Sequence, residues 1–433
     1  MGKKAKKIVL RLLKNQLVQG STSLLIGSFL ANLGNYLFHL LMGRMLGPVD
    51  YGALESLISL LYFLAIPLGA LSLVQIKKMS EFRGRGEAGK AMAFYYSLYR
   101  RISKLALAVY LPLFFISPWL KDFLHLESLG LIMTVLASSY LAVLVGINSA
   151  TLQAFLKFWP VSLVNVIGNW GRVLIAVLLV KWGWRVFGAS LSSVFGSLLA
   201  LSLSIFLIRR LVIDRHRRMT KLNLGQLVKQ AWPFLVLTLA FTSLYTTDVV
   251  LARHFLSGQE AGFYASLAVL GKIIPFACAP ITLAMFPLIS GRFAAGKSCR
   301  RLFLLALFLS FLVCLGIGSS YFLWPGLMVK LLFGLEYLAA AEHLPLFALF
   351  LSAYSLAYMI SQFFLSISHY RPVFFSLWAA LAQLVLILFF HQSLVQVVTI
   401  SIGICGLLLL ILMIYSFLGD KSRWILKKES GMS

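Results

Sequence analysis

"GRMLGPVDYGALESL" occupies Gly43–Leu57, and a looser copy, "ARHFLSGQEAGFYASL", occupies Ala252–Leu267. Arg44 aligns with Arg253, Gly52 with Gly262, and Ser56-Leu57 with Ser266-Leu267. The offset is 209–210 residues, close to half of a 433-residue chain. Each copy joins two apolar runs, and the second run of each carries proline: Pro67 in one, Pro275 and Pro280 in the other. Each pair of runs then ends in a basic stretch, "SEFRGRGEAGK" from Ser80 and "SGRFAAGKSCR" from Ser290. The chain therefore reads as a duplication in which both halves open on the same helix–turn–helix.

The apolar runs decide the class. Sixty per cent of the residues are hydrophobic and 12% charged, with a mean hydropathy of +0.91; soluble domains carry about 25% charge. Runs of about 20 apolar residues read as membrane-spanning helices. In hydrocarbon only helices and closed barrels satisfy every backbone group, and these runs lack the alternation of barrel strands. Twelve spans are expected, at 20–42, 52–76, 105–120, 129–151, 160–180, 186–208, 231–252, 262–289, 302–323, 343–366, 373–390 and 394–417. The organisation that follows is a basic interfacial segment (1–19), a first lobe (20–208), a basic cytoplasmic linker (209–230), a second lobe (231–417) and a cytoplasmic tail (418–433). Six helices per lobe is an even number, so both lobes enter from one side. The fold class is thus all-α and integral to the membrane, two six-helix lobes related by a parallel repeat. Transporters built this way bind near the midplane between their halves.

A net charge of +26 raises the question of nucleic acid, and its distribution argues against it. With the N-terminus inside, 31 of the 39 Lys/Arg fall on inner segments, six on outer ones, and two, Arg172 and Lys272, inside spans. That is the positive-inside bias of a cytoplasmic-membrane protein with both termini cytoplasmic. It also suits contact with anionic inner-leaflet lipids. Trp119, Trp182, Trp184 and Trp324 fall near the outer face and Trp159, Trp232, Trp378 and Trp424 near the inner one, as interfacial belts do. Only Trp170 lies deep in a span. Cys278, Cys299, Cys314 and Cys405 show no metal or disulfide spacing and read as small buried hydrophobes. No small-residue cleavage site follows the first span, so a retained helix is expected there. Lys6 stands where a myristoylation motif needs Ser or Thr.

"LMGRMLGPVDYGALESLISLLYFLAIPL", which ends span one and runs through span two, resembles the opening of the polysaccharide transport proteins. These are O-antigen-type oligosaccharide flippases of the multidrug/oligosaccharidyl-lipid/polysaccharide exporter superfamily. Length, span count and the two-lobed repeat match over nearly the whole chain. The resemblance implies a flippase that carries a lipid-linked glycan, with a polyprenyl pyrophosphate anchor, from inner to outer leaflet. The outer segment 324–342 and the strongly basic loop 77–104 depart from the family pattern.

Polar residues inside the spans are the candidate site. Ser28, Asn32, Asn35 and His39 form one stripe on span one, and Ser162, Asn165, Asn169 and Arg172 another on span five. Span seven carries Thr238, Thr242, Tyr245 and Asp248; span ten carries Ser355, Gln362, Ser366 and His369. Such stripes are either interhelical hydrogen-bond glue, each bond worth about 0.6 kcal/mol, or walls of a hydrated cavity. Arg172 and Lys272 sit ten to twelve residues into their spans, one per half. A midplane charge costs about 2.5–3.5 kcal/mol, so the pair is expected to face a cavity and meet an anionic pyrophosphate; the competing assignment is an ion pair of Lys272 with Asp248 or Glu55. Asp248 and Glu55 are candidates for H⁺ or Na⁺ coupling. No phosphate loop, metal cluster or catalytic constellation appears, so a transporter without cofactor, metal or enzymatic activity, acting as a monomer, is expected. A multidrug/cation antiporter of the same superfamily is the alternative, but its cavity would want acidic walls. A glycan polymerase or ligase would want a larger outer loop.

Overall fold

The structure is a computed structural model that describes residues 16–211, 224–294, 298–367 and 369–418. The expected basic segment before residue 16, most of the linker, and the tail with Trp424 lie outside them. Among the described residues every regular element is helical. Ten helices are long and apolar enough to cross a membrane. Two of these, Phe29–Ser80 and Phe158–Arg210, are 52 and 53 residues long, about 80 Å at a rise of 1.5 Å per residue against a hydrocarbon core of about 30 Å. Each is interrupted by a glycine at positive φ, Gly47 (φ 74°, ψ 174°) and Gly183 (φ 88°, ψ 6°). Each is therefore two spans, and the twelve expected from hydropathy are present.

The breaks have local causes. Pro48 forbids the α region to the residue before it, and only glycine enters the left-handed alternative without a Cβ penalty. The turn in the first copy is thus a break at the single residue Gly47, between two helices of the stretch Gln16–Gly84. The second copy, by contrast, is a true turn. There Ser257 caps the helix Gly258–Gly271: its Oγ accepts from the Glu260 N–H at 3.3 Å and donates to Glu260 Oε2 at 3.0 Å, an N-cap of the common serine type.

Two compact units result. The first comprises residues up to Leu46 together with Leu64–Trp232; the second comprises Gly47–Phe63 together with the chain from Pro233 onward. The N-terminal half of span two is therefore built into the second unit. In the first unit, buried polar bonds tie spans together. Tyr95 OH donates to Asn148 Oδ1 (2.9 Å), whose Nδ2 donates to Ser204 Oγ (2.9 Å). Gln75 Nε2 donates to the Ile147 carbonyl and to Thr151 Oγ1, both at 2.9 Å. These are interhelical glue in the plain sense.

In the second unit the two copies of the repeated turn meet. A Cβ on Gly52 would lie 2.9 Å from the Gly262 backbone nitrogen, and one on Gly262 would fall on the Pro48 carbonyl. The glycines that align in sequence are thus the ones that let the backbones touch. The segment after Trp324 covers this contact with two short helices, Pro325–Leu332 and Leu335–His343. Val329, Phe333 and Tyr337 point inward, and Tyr51 is fully buried with ring centroids 5.3 Å from Phe333 and 6.4 Å from Tyr337. Trp324, Leu327, Leu331, Leu335 and Leu338 stay exposed on the opposite side. The segment 324–342 is therefore helical and apolar on both sides, and its inner face is a lid on the paired turns.

Outside, the helices present large apolar side chains such as Phe115, Leu174, Leu283 and Leu410, a surface suited to lipid rather than water. Seven of the eight belt tryptophans are described, and all seven are exposed.

The glycine contact gives a direct test. Gly262→Ala should lower the melting temperature of the purified protein by several degrees, since overpacking costs about 1–3 kcal/mol. Gly403→Ala, with no heavy atom within 4 Å of the added Cβ, should leave it unchanged or raise it slightly. Equal melting of the two variants would mean the turns do not touch.

Candidate functional site

The polar stripes of spans one and five come together in the first unit. Arg172 lies with its Cζ 3.6 Å from the centroid of the Phe38 ring, and its guanidinium donates to Asn35 Oδ1 at 3.4 Å. Trp170, the one deep tryptophan, donates its indole N–H to the Leu30 carbonyl at 3.0 Å and so ties the same two helices. Asn32 and Asn165 are exposed, and Asn169 donates to the Asn165 carbonyl at 2.9 Å. His39 is buried beside Phe38 rather than on the open part of the stripe. The arrangement holds a guanidinium flat on an aromatic face, a cation–π contact. The planar fork can still offer donors to an oxyanion.

The second unit holds the remaining candidates, and here two spans depart from regular helix. Span seven is interrupted at Tyr245-Thr246, between Leu224–Leu244 and Thr247–Phe255. Span eight is loosened at Lys272, between Gly258–Gly271 and Ile273–Ala294, where the Lys272 N–H still donates to the Ala268 carbonyl (2.9 Å) and its carbonyl accepts from the Phe276 N–H (3.2 Å). Pro275 contributes to the second break because it has no N–H for the Gly271 carbonyl. Side chains attend to the carbonyls around both breaks. Gln383 Nε2 donates to the Leu244 carbonyl (3.1 Å) and to Ser401 Oγ (2.8 Å). Tyr321 OH donates to the Leu270 carbonyl at 2.8 Å.

Each break carries a charged residue. Lys272 Nζ lies 2.8 Å from Glu55 Oε1, with the two side chains 6% and 0% exposed. The ammonium stands 5.5 and 5.7 Å from the ring centroids of Tyr245 and Tyr62. Of the two partners expected for Lys272, the structure chooses Glu55, so the Lys272 charge is already neutralised. Asp248 is fully buried just past the other break, where Tyr264 OH donates to its Oδ2 at 2.7 Å. Such a carboxylate can take up a proton or a small cation. Gln362 donates to Tyr358 OH at 2.7 Å. Arg172 belongs to the first unit and Lys272 to the second.

Several participants escaped the sequence. Tyr264 and Gln383 sit in ordinary-looking apolar runs and became visible only when the helices were folded together. Asp50, in the repeated turn, is buried as well. The span-eight break did have a signal, Pro275. All four cysteines are buried; Cys278 and Cys314 approach to 3.8 Å between sulfurs without bonding. Among the described residues no group of three His, Cys, Asp or Glu converges as metal ligands.

A twelve-span, two-unit helical chain with charged residues at broken spans can be set beside known proteins. The sequence model of the family described as polysaccharide biosynthesis protein matches residues 17–293. The chain belongs to that family. No curated protein matches it in sequence. Among solved structures it is similar to an inward-facing multidrug resistance MATE family transporter of the MOP superfamily, with a TM-score of 0.75 at 13% identity over 90% of this chain and 94% of the other. It is similar to the lipid II flippase MurJ in its inward closed conformation, with a TM-score of 0.69 at 15% identity over 91% and 87%. A MOP superfamily transporter from Pyrococcus furiosus, described as having a binding pocket of reversed polarity, gives 0.66 at 15% identity over 94% and 97%. The fold expected from sequence, that of the exporter superfamily, is thus the fold found.

The ion pair makes its own prediction. Lys272→Gln or Glu55→Gln alone strands a buried charge and should cost about 3–5 kcal/mol, whereas Glu55→Leu with Lys272→Met should recover most of it. Thermal unfolding in detergent reads this directly. Full stability of the single variants would dissolve the pair.

Proposed function

We propose that the protein is a flippase that moves a lipid-linked oligosaccharide, anchored through polyprenyl pyrophosphate, from the inner to the outer leaflet by alternating access. The supporting observation is Arg172. It is a guanidinium held deep in a span against Phe38 and Asn35, in a chain of a polysaccharide biosynthesis family. A cation at that depth is costly and earns its place by acting, and a pyrophosphate is the anion that such a family's substrate would bring. Lys272, whose charge Glu55 already cancels, leaves the phosphate to Arg172. Asp248 is the proposed coupling residue, taking up H⁺ or Na⁺ to drive the cycle. Glu55, the other coupling candidate, is assigned to its ion pair. The protein would act in the cytoplasmic membrane with both termini on the cytoplasmic side, as a monomer among anionic lipids. The walls favour the flippase over a cation antiporter, because the exposed polar residues around Arg172 are neutral amides.

Proteoliposomes with a fluorescent lipid-linked glycan test this. Arg172→Gln should slow flipping at least tenfold, a loss of about 1.4 kcal/mol, with expression intact. Arg172→Lys should rescue only part, because the bidentate fork is lost. Wild-type flipping rates in Arg172→Gln would overturn the assignment of the phosphate contact.

Coupling has a separate readout. Asp248→Asn should abolish the dependence of flipping on an imposed H⁺ or Na⁺ gradient while leaving a folded protein. A gradient response equal to wild type would return Asp248 to a structural role with Tyr264.

A further inference from the structure

A run of tyrosines in the second unit is unused by the phosphate and by the coupling carboxylate. Tyr62, Tyr245, Tyr354 and Tyr358 come from spans two, seven and ten. Their ring centroids follow one another at 6.1 Å (Tyr62–Tyr245), 5.5 Å (Tyr245–Tyr354) and 6.3 Å (Tyr354–Tyr358). The last two rings are nearly parallel, 4° apart, on successive turns of Leu344–Ser366. Phe241 backs both of them at 5.3 and 5.0 Å. Tyr354 is buried, while Tyr62, Tyr245, Tyr358 and Gln362 are only half-buried. The wall therefore has a sealed apolar backing and a partly open front.

Its chemistry is specific. Behind Tyr62 and Tyr245 stands the Lys272–Glu55 pair, closed on itself at 2.8 Å. The wall thus carries no free charge to offer an anion. What it offers is aromatic faces, which are negative at the centre, edged by phenolic hydroxyls and the Gln362 amide. A packed core filler would be Phe or Leu, without hydroxyls to satisfy. Ligands that present a weakly positive C–H face rimmed by hydroxyls are pyranose rings. Aromatic surface with a few placed polar groups is the general make-up of a small-molecule site.

We infer that this tyrosine wall binds the sugar rings of the substrate. The inference rests on the flippase assignment and adds to it the surface that meets the glycan. Tyr245 and Tyr358 supply stacking faces; Gln362 fixes the Tyr358 hydroxyl and lends its amide to sugar hydroxyls. Because no free charge takes part, the sugar contribution should be nearly insensitive to salt, unlike an exposed ionic contact.

The experiment uses the full-length protein in nanodiscs and two probes: undecaprenyl pyrophosphate, and the same lipid carrying a short chain of N-acetylglucosamine. Wild type should bind the glycan-bearing lipid at least about tenfold more tightly than the bare one, with that ratio held between low and high salt. Tyr358→Leu and Tyr245→Leu should bring the ratio down to about one without changing affinity for the bare lipid, and Tyr358→Phe should keep most of it. Gln362→Ala, a half-buried position that should fold normally, should lower the ratio several-fold. A ratio unchanged in the Leu and Ala variants overturns the inference, as does equal loss of both lipids. If wild type binds both lipids equally, the flippase assignment stands and the tyrosine wall does not. If it binds neither, both fall.

Discussion

Inside a bilayer a backbone carbonyl released from its helix has no water to bond. Span seven is interrupted at Tyr245-Thr246, and in span eight Pro275 has no N–H for the Gly271 carbonyl; side chains of the second unit bond carbonyls beside both places. Gln383 reaches from span eleven to the Leu244 carbonyl, and Tyr321 from span nine to the Leu270 carbonyl. Once those bonds are made, the breaks become sites. One puts Lys272 beside Glu55, and the other puts Asp248 beneath Tyr264. Discontinuous helices are where transporters place charged chemistry, and here the supporting side chains can be named.

Much of this architecture was legible in the sequence because the bilayer imposes it. Span number follows from apolar run length, and the exposed belt positions from tryptophan. The repeated turn announced the duplication, and its aligned glycines proved to be the backbone contact itself. The site was legible only in part. Polar stripes on single helices locate candidates, and those of spans one and five do meet at Arg172 and Asn35. The choice between Glu55 and Asp248 as partner of Lys272 depends on which helices pack together, over a separation of 217 residues for the pair that forms. Gln383 and the tyrosine run were invisible for the same reason, since their meaning lies in neighbours from other spans.

The two units treat charge differently. The first holds Arg172 against an aromatic ring and an amide oxygen. The second confines its lysine in a buried pair and shows tyrosines at the front.

Gly47–Phe63 belongs to the second unit although the duplication assigns it to the first half. The unit of inheritance and the unit of folding are therefore not the same object. A gene cut at the linker would yield a C-terminal fragment without Glu55, leaving Lys272 as an uncompensated ammonium in hydrocarbon, and without Tyr51, leaving Phe333 and Tyr337 uncovered.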